Sequence, residues 1–221
     1  MSNEINAWHF LNKECQLRYR TQELVEVGKK YYASGPLAIC KNGMHACIRV
    51  IDALQYAPGY TLCYVTCGGD IVQHGNELCS RWRRVERMMD ATKLLHEFSC
   101  NIAEEMLQIT KITEQQLFDA IATKRAWING KGTDKDLDNI VFNIFEIRKK
   151  MTIASEQSAA SAVAMASSKT VEARAVISST IRAISNDKSA VAIKAVSNDM
   201  IDKYEKQLIN THEIRKLAQA T

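Results

Sequence analysis

Cys40-Lys-Asn-Gly-Met-His-Ala-Cys47, continued by Ile51-Asp-Ala-Leu-Gln-Tyr-Ala-Pro-Gly59, is the stretch on which a reading of this chain turns. A glycine turn comes first, then a histidine. Apolar Ala46, Ile48, Val50, Ile51 and Leu54 follow at near-helical spacing, with Arg49, Asp52 and Gln55 on the other side. That pattern predicts an amphipathic helix from Met44 to Tyr56, stopped by Pro58-Gly59. Tyr60-Thr-Leu-Cys-Tyr-Val-Thr66 comes next and is the strongest strand signal in the chain.

Working back from this stretch, Ala7-Trp-His-Phe10 reads as a short aromatic strand, and residues 16–20 and 24–28 alternate as strands do. Leu37-Ala-Ile-Cys40 is a further short apolar strand. Working forward, Gly68-Gly69 predicts a turn and Asp70-Ile-Val-Gln73 a short partner strand. From Glu77 the pattern changes. Trp82, Val85, Met88, Met89, Leu94, Leu95 and Phe98 recur at helical spacing, so a helix is expected to open at Arg81. Thr113 and Gln116 suggest a capping box for a helix reaching Ile128. Asn129-Gly-Lys-Gly132 stops that helix, and Thr133 caps the next, which ends in Arg148-Lys-Lys150. Residues 151–198 hold 12 alanines and 10 serines, and Ala183-Ile-Ser-Asn-Asp187 returns as Ala195-Val-Ser-Asn-Asp199. Helices are expected there, with a break at Asn186-Asp187, and a charged amphipathic helix over 200–220 closes the chain. The fold class is therefore α+β, with a small mixed strand/helix domain at 1–78 and an all-helical domain at 79–221.

Composition bounds the function. Net charge is +4 over 221 residues, which is compatible with acidic partners without requiring them. No apolar run reaches the roughly 18–20 residues that cross a bilayer, and the N-terminus has no secretory pattern, so a cytoplasmic, non-membrane protein is expected. The seven cysteines read as buried apolar residues of a reducing compartment. A zinc reading fails on spacing. Only Cys63 and Cys67 are suitably close in sequence, and on a strand they lie about 13 Å apart. No metal and no cofactor are expected.

Among candidate site residues, His9 and His45 have the chemistry of an acid or base, and Tyr56 closes the expected helix. Cys47, two residues after His45, would have a lowered thiol pKa if it lay at a helix N-terminus. Arg81, Arg83, Arg84 and Arg87 form a basic cluster that suits a partner protein or nucleic-acid phosphates, with Trp82 among them. No Walker loop, dinucleotide fingerprint, nucleophile elbow or metalloprotease helix is present.

The first ninety or so residues resemble an uncharacterised domain family common in phage and prophage genomes. The resemblance rests on Ala7-Trp-His-Phe-Leu11, Leu17-Arg18, Asn42-Gly-Met-His-Ala46, Asp52-Ala-Leu-Gln-Tyr-Ala-Pro-Gly59, and the strand through Val65 with Gly69 after it. An alanine-rich helical tail often follows in that family, as it does here. Two departures stand out: Cys47 replaces a usual serine, and a lysine-containing stretch after Gly69 reads His74-Gly-Asn-Glu-Leu-Cys79. The order of elements is also similar to that of ADP-ribosyltransferases. That second resemblance implies NAD as substrate, with His9 on the nicotinamide ribose, Tyr56 stacked on the nicotinamide, Arg18 facing phosphate and Glu77 as the glutamate candidate. The expected function is a non-enzymatic, phage-type interaction protein that binds and inhibits a host or rival-element protein, in an anti-defence or regulatory role. It would self-associate through its C-terminal helices. The alternatives are the NAD-using enzyme and a nucleic-acid binder working through residues 81–87.

Overall fold

The computed structural model describes residues 4–17, 23–185 and 190–219. Strands and one short helix come first, as β1 (Ile5–Leu11), β2 (Lys30–Tyr32), β3 (Met44–Cys47), α1 (Val50–Leu54), β4 (Thr61–His74) and β5 (Glu77–Asp90). Helices follow, as α2 (Thr92–Thr110), α3 (Gln115–Ile128), α4 (Asp134–Lys150), α5 (Ala154–Ala166), α6 (Ala173–Ser185), α7 (Ala190–Ile209) and α8 (His212–Gln219). The class is mixed α+β with a helical C-terminal part, as the sequence implies.

Two compact units divide the chain. Unit 1 holds residues 1–91 together with 203–221, and unit 2 holds 92–202. The change from strand to helix falls between Asp90 and Thr92. A boundary at 78/79 would cut β5 after its first two residues.

In unit 1, all pairings between named strands are antiparallel. β1 pairs with β3 and β4, and β5 pairs with β3 and β4, so four strands close a ring. β2 adds to the free edge of β5. Ala7, Leu11, Cys63, Val65, Cys67, Leu78 and Val85 point inward as one buried cluster with Val25, Tyr31 and Ala46. Trp8 and Phe10, of opposite parity on β1, are buried on the other face. Trp8 meets the Tyr64 ring at 5.1 Å between centroids, and α1 packs on β1.

Several local expectations change. Met44–Cys47 is a strand rather than the first turn of a helix, because it fills the gap between β1 and β5; only Val50–Leu54 is helical. Leu37–Cys40 belongs to a loop in which Ala38 bridges Asn42. Gly68-Gly69 does not turn the chain. β4 runs through it with a register shift, and the reversal comes at Gly75-Asn76. Residues 81–90 are strand, not helix. Trp82 lies across the strand from Gly68, where a β-carbon would come within 2.2 Å of the indole; glycine is what lets the ring lie flat on the sheet. Gln16 and Leu24 form one isolated bridge, while the strand expected over 16–20 falls partly outside the described residues.

In unit 2, α5 touches α2, α3, α4 and α6. Its buried Ala159, Ala160, Ala162, Val163, Ala164 and Ala166 keep side chains short where helix axes approach on several sides. Thr133 caps α4 in a reciprocal box with Asp136, as expected. The Thr113 box is not formed. Glu114 is the N-cap of α3 and makes no side-chain cap. The expected break at Asn186-Asp187 lies outside the described residues.

Candidate functional site

The site grows from the loop that the opening stretch begins. Asn42 Nδ2 donates to Ser34 O at 2.7 Å and to Pro36 O at 2.8 Å. Arg81 Nη1 donates to Ala33 O at 3.0 Å and to Gly35 O at 2.7 Å from the other side. Cys40, at φ 61°, donates its backbone N–H to His45 Nε2 at 3.0 Å. Gly43 closes the loop at φ 139°, and a β-carbon there would collide with Cys79 Sγ at 2.1 Å. These bonds hold residues 34–43 in one conformation against β3 and β5.

Three side chains meet beside the loop. Tyr56 Oη donates to Glu77 Oε1, and the Cys40 thiol lies 3.9 Å from Glu77 Oε2. Glu77 stands opposite Cys47 in the β3–β5 register, and His45 stands opposite Cys79. Because His45 Nε2 accepts a hydrogen bond, the proton of the neutral ring sits on Nδ1. Burial, helped by the Arg83 charge, pulls the His45 pKa below its ordinary value. The Glu77 contact and some burial push the Tyr56 hydroxyl up to about 12. Burial, with Asp52 and Glu77 adding to it, raises the Cys47 thiol to about 12. Cys47 is buried on a strand, in keeping with the reading of the cysteines as packed apolar residues, and no helix terminus lowers its pKa.

His9 is half-buried and stands on β1 opposite Cys63, at the same parity as Ala7 and Leu11 of the buried cluster. Arg18 lies outside the described residues. The four arginines of β5 do not share a face. Arg81 holds the loop and also meets Asp70 at 3.3 Å. Arg84 Nε meets Glu86 at 2.7 Å, and Arg87 Nη1 donates to Leu217 O at 2.7 Å. Arg83 turns inward and is 4% exposed. It sits in a cross-strand row with Cys67 and Tyr31 and donates from Nη1 to His45 O. Burial depresses its pKa, and its Nε–H has no hydrogen-bond partner.

Sequence reasoning missed Glu205. Its carboxylate accepts from Val50 N at 3.2 Å and Ile51 N at 2.8 Å, which ties residues 203–219 into unit 1. Burial raises its pKa, and the two amides oppose that shift. A carboxylate 155 residues from its partner leaves no local signal. Among the described residues no group of three or more His, Cys, Asp or Glu side chains could hold a metal ion. No helix among them is long and apolar enough to cross a membrane.

Compared with known proteins, the chain matches no curated protein and no solved structure. The loop, the ring of strands and the start of α2 all fall within residues 5–97, and that segment matches an uncharacterised family described as Domain of unknown function (DUF7666).

Proposed function

We propose that this chain is a non-enzymatic, phage-type interaction protein. Unit 1 presents the fixed 34–43 loop, with Tyr56 beside it, to a host or rival-element protein and inhibits a defence or replication function. The observation that supports binding over chemistry is how the titratable groups of the site are used. His45 Nε2 is taken up by a backbone amide and the Tyr56 hydroxyl by Glu77. The Cys40 thiol also points at Glu77. A loop already held in one conformation loses little entropy on docking, and exposed Tyr56 gives it an aromatic anchor.

The test is affinity capture from infected and uninfected host lysate, with the full chain and with Asn42→Ala as baits. A stoichiometric protein held by the full chain and lost with Asn42→Ala, whose thermal unfolding stays cooperative, is the expected result. Equal capture by both baits would remove the loop from the proposal. NAD consumption that disappears in a folded His9→Ala variant would replace the proposal with the enzymatic reading.

A further inference from the structure

We propose that α4 is a self-pairing helix, and that two copies of this chain associate through it antiparallel, about a two-fold axis passing between Phe142 and Phe145. α4 buries only Leu137 and Ile144. Phe142 is 64% exposed and Phe145 45% exposed, three residues apart on one face of the helix. Adjacent exposed aromatics of this kind mark an interaction surface rather than ordinary monomer surface.

The flanking residues say what covers it. Lys135, Asp138, Phe142, Phe145 and Lys149 are all exposed and follow one another at intervals of three, four, three and four. That is the seam spacing by which two helices pair along their length. The charges on the seam choose the direction. With the axis between Phe142 and Phe145, antiparallel pairing sets each Phe142 against the partner's Phe145 and each Asp138 against the partner's Lys149. Parallel pairing would set Asp138 against Asp138 and Lys149 against Lys149, with like charges facing each other at both ends. Phe142 with Phe145 and Asp138 with Lys149 are symmetric about the same point, so the face is complementary to itself, as a two-fold interface requires. Within the chain Asp138 meets Lys169 at 2.9 Å and Lys149 meets Glu146 at 2.5 Å. Exposed pairs of this kind contribute little and do not commit either charge. One helix face is smaller than the roughly 800 Å² per partner of a standard interface, so the dimer is weak and depends on concentration.

Sedimentation equilibrium of the full chain across a concentration series tests this. The expected result is a monomer–dimer equilibrium that Phe142→Asp with Phe145→Asp abolishes while far-UV dichroism and thermal unfolding are preserved. Lys149→Asp, a surface change that leaves the core intact, should weaken dimerisation about tenfold by facing the partner's Asp138, and adding Asp138→Lys should restore it. A chain that stays monomeric at the highest attainable concentration overturns the proposal. So does a dimer indifferent to the phenylalanine substitutions. A dimer that Lys149→Asp weakens but Asp138→Lys does not restore overturns the antiparallel register.

Discussion

Each unit buries a long cation, and each cation donates to a backbone carbonyl. In unit 1, Arg83 donates to His45 O from inside the ring of strands. In unit 2, Lys124 is fully buried, donates from Nζ to Ser168 O at 2.6 Å, and lies 3.9 Å from the centroid of the Trp127 ring. Trp127 is itself fixed, by Asp134 at 2.8 Å and by the edge-on His96 ring at 5.4 Å. Among the described residues neither cation has a carboxylate within ion-pair distance. The difference lies in what the side chain can do about its charge. A guanidinium keeps its proton at any pH a protein survives, so unit 1 carries a permanent internal charge. Burial brings the Lys124 pKa down to about 8, so unit 2 can discharge its cation at mildly alkaline pH. One geometry thus gives one fixed charge and one that titrates.

The largest test of that contrast removes each side chain. Arg83→Ala and Lys124→Ala should each cost about 3 kcal/mol in urea unfolding, from lost packing and an orphaned carbonyl. Methionine keeps the stem and deletes the charge, and in each case should recover more than half of that loss. An Arg83→Met variant as damaged as Arg83→Ala would show that the guanidinium, not its stem, holds unit 1 together.

A second test works from the carbonyl side. Gly43→Ala forces a β-carbon toward Cys79 Sγ at a left-handed backbone position beside His45. It should cost about 2 kcal/mol, seen as a lower melting temperature. No loss of stability would mean that the loop relaxes without disturbing the Arg83 contact.

The pH response separates the two cations. The folded Lys124 pKa of about 8 is below the ordinary 10.5, so the unfolded chain holds that extra proton across the interval. Stability attributable to Lys124 therefore rises from pH 8 to 10.5, by about 3 kcal/mol. Raised cysteine and tyrosine values act in the opposite direction there, so the measurement is the difference between the natural chain and Lys124→Met. His96 shows the same sign lower down. Its pKa is pulled to about 4 by burial and by the Lys124 charge, so stability is lost as pH falls from 6.5 toward 4. A Lys124→Met chain with an unchanged alkaline slope would refute the assignment. The smallest effect belongs to Tyr56→Phe, which removes the exposed contact to Glu77. It should shift urea unfolding by less than about 1 kcal/mol.

The two cations also show how far the sequence could be read. The mixed class, β1, the first half of β4, and α4 with its Thr133 cap and basic last turn were legible because their signals are local. Arg83 was not. In the linear pattern it belongs to a basic run, and Trp82, Val85, Met88 and Met89 mimic helical spacing. In the fold those residues serve two faces of a strand whose pairing with β4 is irregular. One local signal does point to the strand: Gly75-Asn76 is a two-residue hairpin turn between His74 and Glu77, and it sets β5 back along β4. Lys124 carries no local signal of its own. Its burial depends on Ser168, 44 residues later, and no window of sequence brings the two together.

The Glu205 contact has a consequence for how the protein is made. While a ribosome is still building the helices that follow β5, the emerged strands already hold most of what unit 1 needs, but not Glu205 for the Val50 and Ile51 amides or Leu217 O for Arg87. Those partners are translated only after the whole of residues 92–202. Unit 1 therefore completes itself late in synthesis, after unit 2 has emerged, and translation must pass Glu205 before the first-made part of the protein is finished.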